Sequence, residues 1–162
     1  HPWRDTAPKM FKRMFEWAIG DGMLNAKHTH MTYRTLPNSV ELAVLWSIFS
    51  IKTLWIPFVA QLFAHLIINF FIFPIMHNGN YASEIIQNST FTRAVMVVFC
   101  GELSRIASDS GRLYGQISRR EFKYITTRFD WFIGKMPTDI SQNKLTSLIM
   151  YAMIGYLSYL QF

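Results

Sequence analysis

Apolar and polar positions follow helical spacing along most of this chain, and one run stands apart. From Thr53 to Met76 it reads TLWIPFVAQLFAHLIINFFIFPIM, with no Asp, Glu, Lys or Arg. At ~1.5 Å per residue, a helix of this length crosses a hydrocarbon core of ~30 Å. Gln61, His65 and Asn69 interrupt the run at steps of four and so share one face. Lipid offers a polar group no partner. The run therefore predicts a membrane helix with one face turned toward protein, cofactor or water.

Upstream, residues 1–7 read as an extended arm, and Pro8 suits the first position of a helix. Met10, Phe11, Met14, Phe15, Ala18 and Ile19 fall on one side, and Lys9, Lys12, Arg13 and Glu16 on the other. That pattern fits a helix lying in the membrane interface or one packed on protein. Gly20-Asp21-Gly22 is a stop signal, and residues 23–37 read as irregular. Asn38 or Ser39, with Glu41 behind, caps the next helix. Between Val40 and Met76 only Pro57 interrupts, so the pattern predicts one long kinked helix, with a tight helical hairpin as the alternative. Lys52 is placed to reach a headgroup.

Downstream, HNGNY at 77–81 is a stop and turn. Asn88-Ser89-Thr90 matches a glycosylation acceptor. From Phe91 to Ile117 the rhythm is helical, with SDSG at 108–111 as a possible break. Glu102, Arg105, Asp109, Arg112, Gln116, Arg119 and Lys123 form a stripe that alternates in sign at its start. Such a stripe reads as a solvated or subunit-facing edge, with (i, i+3) ion pairs worth ~0.2–0.5 kcal/mol each. Residues 118–136 are basic and aromatic; Phe122, Ile125, Phe129, Phe132 and Ile133 fit one helical face. Pro137 breaks the pattern and TDISQNK reads as a polar linker. Leu145 to Phe162 is then an uncharged second span candidate, with Ser147, Tyr151, Gly155 and Ser158 on one face where another helix can approach.

The expected fold is all-α: about two transmembrane helices plus amphipathic interfacial or peripheral helices. Its segments are an arm (1–37), the long helix (38–76), amphipathic helices and linker (77–144), and a C-terminal membrane helix (145–162).

Composition adjusts this picture in two ways. Charged residues make up 16% of the 162, well below the roughly 25% of soluble domains, and aromatics reach 16%. The formal net charge of +6 comes from dispersed Lys and Arg, with no nucleic-acid-binding pattern. Anionic phospholipids and neighbouring subunits are the partners this implies. Arg119, Arg120, Lys123, Arg128 and Lys135 are the lipid-binding candidates. Basic residues divide between the regions before and after the first span, so orientation stays open.

No phosphate loop, HExxH, GxSxG or paired-cysteine motif is present, and no enzyme is expected. Cys100 reads as a buried small hydrophobe. His28 and His30 are two apart, which is half a metal site at most, and no metal site is assigned. The candidate site is the Gln61, His65 and Asn69 face, as contacts to haem b, a quinone or a bound phospholipid, or as interhelical hydrogen bonds. His77 lies too far along the same helix to share an iron with His65. No acidic residue falls within an apolar span. The expectation is a non-catalytic accessory subunit of a multi-subunit membrane complex. The host expected is an energy-transducing complex of the mitochondrial inner membrane, a respiratory complex or an ATP synthase. The alternatives are a haem- or quinone-contacting anchor of an oxidoreductase and a peripheral anionic-lipid-binding module.

Overall fold

The computed structural model of the chain describes residues 6–48, 51–72, 90–131 and 137–161. Most of them are helical. The helices are α1 (Ala7–Leu24), α2 (Ser39–Ser47), α3 (Trp55–Ile67), α4 (Phe91–Ser118) and α5 (Pro137–Tyr159). Two short strands, β1 (Thr32–Arg34) and β2 (Thr127–Phe129), pair antiparallel with Tyr33 opposite Arg128.

This small sheet departs from an all-α expectation. It replaces the irregular segment after α1 and the helix predicted over 118–136. The reason is local. α4 ends with Arg120 in the left-handed region, φ 59°, and the Glu121 N–H donates to Gln116 O at 2.9 Å. That closure turns the chain out of the helix. The buried Gln116 side chain then donates to Tyr124 O at 2.8 Å, and Asn25 Nδ2 donates to Thr127 O at 3.1 Å. These amides hold β2 against the ends of α1 and α4.

The apolar run beginning at Val40 is broken rather than kinked. α2 stops at Ser47, a short 3₁₀ turn covers Ile51–Thr53, and α3 begins at Trp55. Pro57 lies in the first turn of α3, where its missing N–H breaks no helical bond. The two helices fold back on each other. Trp46 Nε1 donates to Thr53 Oγ1 at 2.8 Å near the turn, and the Ser39 N–H donates to Gln61 Oε1 at 3.0 Å farther along. The Asn38 capping box with Glu41 forms as the sequence predicts. Past α3 the helix continues as a π-turn, Ile68–Ile72. The turn at 77–81, His77 and most of the Asn88-Ser89-Thr90 triplet lie outside the described residues.

α1 and α4 run side by side in the same direction at very close range. A Cβ on Gly111 would strike the backbone of Phe15, one on Gly115 that of Ile19, and one on Gly22 that of Arg112. Gly111 and Gly115 are four apart on one face, the small-xxx-small arrangement that lets helix backbones touch. Neither Gly22 nor the SDSG segment therefore ends a helix, and both are part of this crossing. α3 packs on α5 through Ile56, Ala60, Ala64, Met150 and Ile154. Leu66 and Phe70 join it to Ala94 and Val98 of α4. α5 starts at Pro137, so the expected linker is helical too. Its polar first turns leave the uncharged part, Leu145–Tyr159, short of the ~20 residues a crossing needs. Among the described residues one segment, Ile51–Ile72, is long and apolar enough to span a membrane, where two were expected.

The glycine contacts yield a paired prediction. Gly111→Val should lower stability by at least ~1–3 kcal/mol, the cost of overpacking, because the obstacle is backbone. Gly101→Ala, in open space within the same helix, should raise it by ~0.5–1 kcal/mol. Thermal unfolding of the full chain in detergent, followed by circular dichroism, measures both.

Candidate functional site

Where α2, α3, α4 and β2 meet, the chain buries a layer of charged and amide side chains. Gln61 and His65 lie on α3 about 100° round the helix from Ala60 and Ala64, the alanines that pack on α5. The Ser39 N–H occupies Gln61 Oε1, so the Gln61 amide NH₂ points the other way, and it donates to Glu102 Oε1. His65 Nε2 lies 3.2 Å from Glu102 Oε2. The contact is off the line of a hydrogen bond, and both Glu102 Oε2 and His65 Nδ1 are buried without a hydrogen-bond partner.

A second group adjoins the first through the start of α2. Glu41 Oε2 accepts from the Asn38 N–H at 3.0 Å, and its Oε1 accepts from Arg112 Nη2 at 2.6 Å. Arg112 Nη1 lies 3.3 Å from Asp109 Oδ1, which also accepts from Arg128 Nη1. One hydrogen-bonded and ionic chain thus runs from Arg128 through Asp109, Arg112 and Glu41, across the α2 cap, to Gln61, Glu102 and His65. Its two guanidinium groups answer Asp109 and Glu41, as buried charges require, while Glu102 has the Gln61 amide.

Burial shifts the acids. Desolvation pushes the Glu102 carboxyl up, to about 7, against the Gln61 amide and Arg105. It does the same to Glu41, also to about 7, against the charge of Arg128 and the Asn38 N–H. The Arg112 contact works with those two, in favour of the carboxylate.

A cavity of about 340 Å³ opens beside this layer. Gln61 and His65 line it from α3, and Arg105, Asp109 and Arg112 from α4. Arg128 closes one side, and Asn143, Thr146, Ser147 and Met150 of α5 another. The volume is at the small end of ligand pockets, and the lining is charged and hydroxylic. That suits water or a small polar ligand. It does not offer the flat apolar slot a haem needs, and His65 Nε2 already faces Glu102.

The structure therefore brings Gln61 and His65 together and leaves Asn69 out. Asn69 Nδ2 donates back to the His65 carbonyl of its own helix at 2.8 Å. Of the lipid candidates, Arg119 and Arg120 are exposed beside the end of α4, and Arg119 Nε pairs with Glu121 Oε1 at 3.2 Å. Lys123 is exposed and lies 4.9 Å over the Tyr124 ring. Arg128 turns inward to Asp109, away from any headgroup. Lys135 lies outside the described residues.

The stripe on α4 is a solvated edge only in part: Arg105 and Arg119 are exposed, but Glu102, Arg112 and Gln116 are buried. Their alternating sign answers acids and bases on other elements. Cys100 is exposed, not buried. The His28 and His30 rings lie 6.1 Å apart, and among the described residues no three His, Cys, Asp or Glu side chains converge on a metal position. The fold and site define a helical protein with a buried acid–base layer beside a polar cavity. Comparison with protein-family models, curated proteins and solved structures gave no match.

Two tests follow from the buried layer. Glu41→Ala leaves the buried Arg112 guanidinium only its longer contact to Asp109 and should cost up to ~3–5 kcal/mol, while Glu41→Gln should cost less. An acid whose pKa rises on folding holds its proton more tightly in the folded state. Its stabilisation is complete below the ordinary value of 4.5 and is lost as pH climbs to about 7. The melting temperature should fall across that window, and Glu102→Gln, which stays neutral, should remove its share of the fall and leave that of Glu41. Thermal unfolding at a series of pH values reads it directly.

Proposed function

We propose that this chain is a non-catalytic helical subunit of a larger membrane assembly. The host we favour is an energy-transducing complex of the mitochondrial inner membrane, a respiratory complex or an ATP synthase. One observation carries the membrane reading: where the apolar surface lies. Ile51, Trp55, Phe63 and Phe71 are exposed along the one segment able to span. Phe91, Met96, Val97 and Phe99 are exposed on the adjoining half of α4. The two helices are joined through Leu66, Phe70, Ala94 and Val98, so they present neighbouring apolar faces. Chains that live alone in water rarely leave such a surface bare. Acyl chains and neighbouring helices are its natural cover, and the exposed Arg119, Arg120 and Lys123 can meet anionic headgroups.

The charged groups support the accessory role. Most already have partners within the chain, so the buried layer orders this fold and leaves the outer face for others. Extraction of native membranes with alkaline carbonate should leave the chain in the pellet. Native electrophoresis in mild detergent should find it migrating with partners. Release by carbonate would instead favour a peripheral lipid-binding module, and a stable lone monomer in detergent would reject the subunit reading.

A further inference from the structure

Arginines from two elements line the polar cavity: Arg105 and Arg112 from α4, and Arg128 from β2. Among the described residues that line it, Asp109 is the one carboxylate. The charges pair off unevenly. Glu41 answers Arg112 at 2.6 Å from behind the lining, and Asp109 answers Arg128. Arg105 is left over. It is exposed, and among the described residues it makes no hydrogen bond and no ion pair. The acid one turn before it, Glu102, is buried, is held by the Gln61 amide and does not line the cavity. Burial pushes that carboxyl up to about 7, so near neutral pH it offsets Arg105 only in part.

The hydrogen-bonding groups lean the same way. Asp109 is already taken by two arginines, so the lining offers a cation no free acid. The hydroxyls of Thr35, Ser104 and Ser147 give their protons to backbone carbonyls. On α5 the Asn143 amide gives one hydrogen to Tyr33 Oη at 3.1 Å and carries a second. An unanswered guanidinium across from an amide donor suits an oxyanion, and guanidinium groups match phosphate through parallel N–H bonds. At ~30 Å³ for each water, about 340 Å³ has room for a phosphate group and its nearest waters.

We infer that this cavity binds a phosphate group, with Arg105 as its main ligand and with Arg128 of β2 and Asn143 of α5 flanking it. Arg112, tied to Glu41 and Asp109, contributes charge rather than a contact. Inorganic phosphate and the phosphate of an anionic lipid headgroup share this chemistry. The site does not depend on the chain spanning a membrane or on any host complex, so it can fail while the proposed function stands.

Isothermal titration of the full chain in non-ionic detergent, just below neutral pH, tests it. The ligands are inorganic phosphate and, in mixed micelles, a short-chain phosphatidate, with short-chain diacylglycerol as the control that lacks the phosphate. Binding of inorganic phosphate supports the site with a free anion as ligand. Binding of phosphatidate but not diacylglycerol supports it with a headgroup as ligand. Binding of neither, or of diacylglycerol as tightly as phosphatidate with no binding of phosphate, overturns the proposal. Arg105→Gln should weaken binding at least about tenfold, the scale of one hydrogen bond to a charged group. Lys9→Gln removes the same charge from the exposed start of α1 and should leave binding unchanged. Affinity unaltered in Arg105→Gln, or an equal loss in Lys9→Gln, overturns the proposal. Arg105 has no partner in the fold to lose, and Asn143→Asp gives an independent reading should that variant fail. It adds a carboxylate to the lining while keeping an acceptor for the Tyr33 hydroxyl, and should also weaken binding at least about tenfold. Binding unchanged in Asn143→Asp overturns the proposal as well.

Discussion

Glu41 and Arg112 meet at 2.6 Å, both almost wholly out of water. An ion this deeply buried loses several kcal/mol of hydration, and only a partner in good geometry offsets that loss. Each of the two comes from a different helix, so pairing them fixes where α2 stands on α4. Asp109 extends the constraint to Arg128 and so to the strand that carries it. The capping box extends it the other way, because the same Glu41 carboxyl holds the Asn38 N–H at the start of α2. Ser39, one residue on, takes Gln61 of α3. A single desolvated network therefore sets the mutual positions of three helices and a strand.

Apolar packing supplies the close distances this network needs. Gly22, Gly111 and Gly115 bring α1 onto α4 with backbones touching, which places α1 and Asn25 against β2. Ala60 and Ala64 do the equivalent between α3 and α5. With larger residues at those positions the helices would stand apart.

A carboxyl group that has lost its hydration, as Glu102 has, is pushed up toward neutral pH even where it keeps a hydrogen bond. The outward face of the same helices is apolar and bare. A subunit of this kind would hold its ionisable groups inside, beside a polar cavity, and show hydrocarbon or neighbouring helices its apolar side.

What could be read from residues alone was local. The helical spacing, the Asn38 cap, the apolar run around His65 and the shared face of Gln61 and His65 are short-range features, set by propensity and periodicity over a few turns. The chain direction at Pro57 was not legible, since a proline in a first turn and one at a kink look alike in sequence. Nor was the role of Gly111 and Gly115, which depends on the helix that lies across them. The stripe from Glu102 to Gln116 was visible as a periodic pattern and misread as a wet edge. Its partners, Glu41, Gln61, His65 and Arg128, stand far away along the chain. Whether a charge faces water or an opposite charge is a question of three-dimensional neighbours. The sequence alone determined which side chains share a helix face; only the tertiary structure decided what each face meets, because desolvation and pairing act between elements and not along them.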